Sequence, residues 1–387
     1  MRKLALALAS AALLGVAQAE DLKPEIGTVE KLGDPSPHWL VINDPNFIGY
    51  LDSKVYLVDA DSSRMLGMLS TGAWHSATEF SPSFDMFYSP ETYYTRGNEG
   101  ERTDVVRFYD VTNLTNQGEV VIPPKRGAGA PHRAYSGRSD DGRFVYVVNM
   151  TPAMSTTVVD VENRRVAAEI DTPGCTMVYP TGDRSFLSLC GNGTVQETRL
   201  TEDGELSSSQ RSDVVFDPNA DPITEKAARV GDVWYFVSFA GHVHEITVTD
   251  GTPVLATKWS MMSDAERAAG WRPGGSHLIA AHVEAGLFVT MNDQGDHSHK
   301  VAGKEIWQFD LGNRQRVRRL KPEEPVNQLA VSSDSSPLLA AGTEGPLIYL
   351  FDAKSGELTG GLEAPLLGAG ILQFAPLLEE VQEEVKE

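Results

Sequence analysis

The chain has 387 residues, 41% hydrophobic and 22% charged, an ordinary globular composition with enough apolar content for a large core. Lysine and arginine number 33 against 54 acids, for a formal net charge of −21. That balance excludes nucleic-acid backbones and anionic membrane surfaces as partners, because both would be repelled, and leaves a basic or neutral protein as the natural electrostatic partner.

Residues 1–19 read MRKLALALASAALLGVAQA. Two cations, Arg2 and Lys3, precede an apolar run, and Ala17-Gln18-Ala19 puts small residues where a signal peptidase cuts. The reading is a secretory signal peptide over 1–19 followed by a soluble, exported protein, more acidic still once those cations are gone. The run from Leu4 to Ala17 is too short to span a bilayer, and no later stretch approaches about 18 uninterrupted apolar residues.

Short β-branched and aromatic strands ending in aspartate then recur along the chain: Val55–Asp59, Val106–Asp110, Thr156–Asp160, Ile306–Asp310 and Ile348–Asp352. Successive aspartates stand about 50 residues apart, except for one gap three times as long. That gap should hide two degenerate copies, and Thr194–Leu200 and His242–Val248 fill it. Each strand follows another behind a polar turn, as in Phe144–Val148, Ser185–Leu189, Val233–Val237, Leu287–Thr290 and Leu338–Ala341, so the pairs read as hairpins. Three or four antiparallel strands every ~50 residues is the pattern of a propeller blade. Seven copies predict an all-β, seven-bladed β-propeller over 20–376. The runner-up, a parallel β-helix, has much shorter coils.

Cys175 and Cys190 are the chain's two cysteines. In an exported protein they read as a disulfide stapling neighbouring strands of the fourth blade, and no CxxC pair points to redox chemistry or a zinc ribbon. Ser263 and Glu266 form a capping box that starts a short inter-blade helix, ended by Gly270. Residues 377–387 are rich in glutamate and read as an acidic tail, either a frayed helix or disordered.

No GxSxG, HExxH, GxxxxGK[ST] or GxGxxG motif occurs, so the chain carries none of the strong catalytic signatures. The nearest approach to a metal cluster is Asn292–His299, where His297 and His299 could share a strand face beside Asp293 and Asp296. An EF-hand frame started at Asp293 would need glutamate where Lys304 stands. The plain reading is a polar loop at the propeller rim, with no metal. His242 and His244 share a strand face in the same way. Sequons at Asn113, Asn149 and Asn192 carry no meaning if the source is bacterial, as the short Ala/Leu-rich signal suggests.

Several stretches resemble the large subunit of the tryptophan tryptophylquinone amine dehydrogenases, the methylamine and aromatic amine dehydrogenases. They are Asp264–Gly275, Arg102–Val106, the pairs Gly174-Cys175 and Cys190-Gly191, and His299-Lys300 followed by Glu305–Trp307. Pro123–Arg126, Asn149–Ser155 and Glu305–Trp307 lean toward the aromatic amine type. The resemblance implies a seven-bladed large subunit, in the periplasm, within a heterotetramer of two large and two small chains. The small, cysteine-rich subunit would carry the quinone and the catalytic base, so no catalytic residue and no cofactor would belong to this chain. Its roles would be to hold the small subunit, wall the substrate channel, and help dock a copper protein of the azurin or amicyanin type as electron acceptor. Family large subunits place a phenylalanine on the passage to the quinone, in a loop after the first aspartate strand. Trp74 or its neighbour His75 takes that position here. The alternatives are a free-standing propeller enzyme, such as a metal-dependent lactonase, and a binding scaffold.

Overall fold

The structure, a computed structural model, describes residues 30–75, 77–364 and 370–376. The expected signal peptide and the acidic tail lie outside the described residues. The chain divides into 1–31 and 32–387, and everything below concerns the second part.

Seven antiparallel sheets follow one another, four-stranded except for the sixth, which has five. Blade 1 contains Trp39–Asp44, Ser53–Asp59 and Arg64–Thr71; blades 2 to 7 occupy 79–122, 136–171, 175–211, 223–260, 272–320 and 326–363. First strands of neighbouring blades meet around a central channel. The seven-bladed propeller expected from the repeat is the fold. Both degenerate copies are strands in their places, Val195–Leu200 in blade 4 and His242–Thr249 in blade 5.

The recurring aspartate has a local cause. After each third strand the chain must turn sharply, and the carboxylate accepts a backbone N–H inside that turn: Asp59 from Asp61, Asp110 from Asn113, Asp160 from Asn163, Asp310 from Asn313 and Asp352 from Ser355. Four residues after each aspartate the backbone enters the left-handed region, at Ser63, Leu114, Arg164, Arg314 and Gly356. The repeat is therefore a turn device, and the strand before it is core.

That core lies between blades. Seven apolar clusters fill the seven inter-blade spaces; Trp307 and Phe309 of blade 6, for example, pack with Tyr235, Val237 and Val243 of blade 5. Sandwiched on both faces, strands such as Phe144–Asn149 and Ser155–Asp160 are buried along their whole length. Outermost strands such as Leu206–Arg211 are mostly exposed. Ile371–Phe374 closes the ring as the innermost strand of blade 1, pairing Leu40 with Phe374 and Asn43 with Ile371. In blade 4, Cys175 faces Cys190 across the first two strands and the two are disulfide-bonded. The helix Asp264–Ala268 sits between blades 5 and 6, and its Ser263–Glu266 capping box is complete.

Candidate functional site

Trp74 lies in the connection between blades 1 and 2. Its backbone is left-handed, φ 56°, a conformation that costs a bulky L-residue about 1–3 kcal/mol and persists only when its surroundings hold it. Three contacts hold it. The Trp74 N–H donates to the Tyr50 carbonyl at 3.2 Å. Its indole stacks on the Tyr50 ring, centroids 4.7 Å apart and planes 24° from parallel. Its carbonyl accepts from Arg126 Nη2 at 3.1 Å, while the same nitrogen donates to the Ala73 carbonyl at 2.6 Å. Gly72 lets the loop approach blade 2 closely, since a Cβ there would stand 2.8 Å from the Thr92 carbonyl oxygen.

Arg126 is buried, and burial pushes its guanidinium down to about 10, still well above neutrality. Asp104 offsets that charge. Its Oδ2 accepts the Arg126 N–H at 3.0 Å, and Thr92 Oγ1 bridges the two side chains, accepting from Arg126 Nε at 2.7 Å and donating to Asp104 Oδ1 at 2.8 Å. Arg102 clamps the same carboxylate with bonds of 2.8 and 2.7 Å. Two stretches that carried the family resemblance, Arg102–Val106 and Pro123–Arg126, thus meet behind the Trp74 loop.

Trp74 itself is half-buried, and an exposed apolar segment adjoins it. The loop between Asp44 and Ser53 carries Tyr50 and presents Phe47 at 44%, Ile48 at 82% and Leu51 at 41% exposure. Asn46 pins this loop, accepting from the Gly49 N–H at 3.1 Å and donating to the Asp52 carbonyl at 2.9 Å. A fixed apolar loop held open to solvent is the kind of surface a protein partner covers.

His75 points the other way. It is 1% exposed; its Nε2 donates to Asn43 Oδ1 at 2.9 Å and its Nδ1 accepts from Ser89 Oγ at 3.2 Å. Asn43 in turn donates to Gln373 Oε1 at 2.8 Å and to the Ile371 carbonyl at 3.1 Å, so His75 belongs to the ring closure. Burial first, and the Arg126 charge second, push this imidazole down to about 3. Of the two residues set in the channel position by the sequence, Trp74 is the one with surface to offer.

The histidine pairs His297/His299 and His242/His244 also have structural surroundings. His297 and His299 lie on a 3₁₀ helix, Gly295–Lys300, rather than on a strand, because Asn292 Nδ2 draws the chain back onto the Ser298 carbonyl at 3.0 Å; His299 stacks on Phe239 at 4.4 Å. His242 pairs with Asp221 at 2.8 Å, and buried His244 donates from Nδ1 to the Val215 carbonyl at 3.1 Å. Among the described residues no three His, Cys, Asp or Glu side chains converge as metal ligands.

The site thus sets a pinned aromatic loop beside an exposed apolar segment on a seven-bladed propeller. The family model for the methylamine dehydrogenase heavy chain matches residues 38–371. Similar curated proteins include the methylamine dehydrogenase heavy chains of Methylophilus methylotrophus, 24% identical over 93% of this chain and 89% of that one, and of Methylorubrum extorquens, 24% identical over 95% and 88%. Among solved structures, a protein of unknown function from Desulfotomaculum acetoxidans superposes with a TM-score of 0.57 at 12% identity, over 88% of this chain and 99% of that one. A dihydro-heme d1 dehydrogenase gives 0.55 at 17% identity over 89% and 71%. Both share the fold. The chain belongs to the methylamine dehydrogenase heavy chain family.

Proposed function

We propose that this chain is the large, cofactor-free subunit of a periplasmic amine dehydrogenase. In this reading it holds a small subunit bearing tryptophan tryptophylquinone, in an assembly of two large and two small chains, and walls the substrate channel with Trp74. The observation that carries the reading is the Tyr50–Trp74 stack at the edge of the exposed Phe47–Leu51 loop, in a chain whose family is that of an amine dehydrogenase heavy chain. The quinone of the small subunit would supply a two-electron oxidation, in which a primary amine and water give an aldehyde, ammonia and two protons, and the two electrons would pass to a copper protein of the azurin or amicyanin type. The one closely packed pair of indoles in this chain, Trp271 and Trp307 with centroids 5.2 Å apart, is interior packing: Trp307 is fully buried and Arg316 and Arg319 lie over its ring. An aromatic amine is the favoured substrate, because an indole stacked on a phenol makes a flat apolar wall suited to a ring.

Purification through a tag on this chain from its native host tests the reading. A small chain should accompany it, with a quinone absorbance bleached by amine, and Ile48→Asp should release that chain without lowering the thermal midpoint. Turnover by the large chain alone would favour the free-standing enzyme. Neither partner nor turnover would favour the binding scaffold.

A further inference from the structure

The central channel holds a second polar cluster, built from residues outside the Trp74 loop. Inside the ring of first strands lies a cavity of about 460 Å³ with two unlike walls. Ala280, Leu329, Ile371 and Leu372, from blades 6, 7 and 1, make one wall apolar. His132, Arg133 and Lys226, from the blade 3 and blade 5 side, make the other polar, joined by His277 from the connection ahead of strand Ile279–His282.

Both imidazoles are 7% exposed, with ring centroids 6.3 Å apart. His132 Nδ1 accepts the Ala134 N–H at 3.0 Å, so the neutral ring carries its proton on Nε2, and that N–H finds no acceptor among the described residues. Neither ring nitrogen of His277 has a protein partner. Buried donors without acceptors are costly, and two of them lining one cavity mark it as built for something that accepts hydrogen bonds.

The local charge gives the occupant's sign. Glu79 is consumed, accepting from Arg133 Nη1 at 2.6 Å, Arg133 Nη2 at 3.1 Å and Ser136 Oγ at 2.7 Å. Among the described residues, Lys226 meets only the carboxylate of its neighbour Glu225, at 3.4 Å. Burial chiefly holds both imidazoles neutral, and the Lys226 and Arg133 charges push the same way; Asp140, the other carboxylate on the lining, is taken by Arg229 at 2.7 and 2.8 Å. A metal cation, the common guest of paired imidazoles, would meet two ligands and a positive surround.

We propose that this cavity binds a small organic carboxylate. Its oxygens accept from His132 Nε2, from the protonated nitrogen of His277 and from Lys226 Nζ, and its short apolar body lies against Ala280, Leu329 and Ile371. The site does not rest on the amine reading, since the carboxylate's three donors all lie outside the Trp74 loop.

The test is calorimetric titration of the protein, as purified from its host with whatever subunit accompanies it, using phenylacetate, phenylacetamide, acetate and inorganic phosphate at pH 7. Phenylacetate should bind at one site per chain, with phenylacetamide and acetate each at least tenfold weaker. Lys226→Met, at a partly exposed position that folding tolerates, should weaken phenylacetate at least tenfold, and His277→Gln should do the same. No saturable phenylacetate binding, equal affinity for the amide, indifference to Lys226→Met, or a preference for phosphate would each overturn the proposal.

Discussion

Arg126 holds Trp74 by its carbonyl, and the ring that results is turned onto Tyr50 in a backbone conformation few tryptophans adopt. The guanidinium is therefore a positioning group: it touches nothing on the surface, yet it sets where the surface aromatic stands.

In the assembled enzyme, Trp74→Ala should change the ranking of small against aromatic amines, by about 1–3 kcal/mol per altered apolar contact, and leave assembly intact. Arg126→Met should shift the ranking in the same direction through relaxation of the loop. The double variant should shift it no further than Trp74→Ala, because the two substitutions remove one interaction. Relative kcat/KM values across an amine series measure this; an unchanged ranking in Trp74→Ala would take the indole out of the channel.

Acid should destabilise the fold through its buried histidines. His75 and His277 are held down to about 3 and His244 to about 4, against an ordinary value of 6.5, mainly by burial. Below pH 6.5 the unfolded chain takes up protons that the folded chain refuses. Stability is thus full above 6.5 and falls as the pH drops toward 4, by up to about 1.4 kcal/mol per pH unit for each histidine. His75→Gln should be less stable at pH 7.5 and should show a shallower loss between 6.5 and 4 in denaturant titrations. A loss as steep as in the parent protein would remove His75 from the set.

The disulfide in blade 4 closes a loop with a sequence separation of 15, which in the chain-entropy treatment contributes about 3 kcal/mol. Replacing both cysteines with alanine should lower the unfolding free energy by that order and keep the fold, because the strand ladder beneath it is unchanged. Non-reducing peptide mapping of protein from the native host should show Cys175 and Cys190 linked; free thiols would contradict it.

Trp307→Ala should cost about 3–5 kcal/mol, since the indole is fully buried between blades 5 and 6 and donates from Nε1 to Glu305 Oε2 at 2.8 Å. Arg316 and Arg319, stacked over the ring, lose their platform with it. Chemical denaturation gives the value directly, and a change below about 1 kcal/mol would show that the neighbouring blades close over the gap.

The parts of the fold written plainly in the sequence are those that are buried twice. A third strand such as Ile348–Asp352 packs on both faces and ends in a turn that needs an aspartate, so it repeats as an apolar run with a fixed last letter. Some innermost strands are very short, as with Glu79–Phe80 and Ser136–Arg138, and outermost ones such as Leu206–Arg211 are too exposed to keep a pattern, so neither announces itself. The closure by Ile371–Phe374 joins residues more than 300 positions apart, beyond any local signal. At the site, Trp74 could be singled out by likeness to a family loop. Arg126 could not be given a role, because its role depends on two backbone carbonyls that only folding brings to it. The channel pair His132 and His277 was equally hidden, standing on different blades.

The closure makes the aromatic loop answerable to the end of the chain. Asn43 receives His75 and Thr78 on its oxygen and gives its amide hydrogens to Ile371 and Gln373, so the residue directly after Trp74 is anchored to a side chain whose acceptors stand 328 and 330 positions further along the chain. A chain cut short before Ile371 would leave that amide without its acceptors and blade 1 without its inner strand. The surface around Trp74 is therefore complete only once Ile371–Phe374 has closed the ring, however early the strands of blade 1 that precede it have formed.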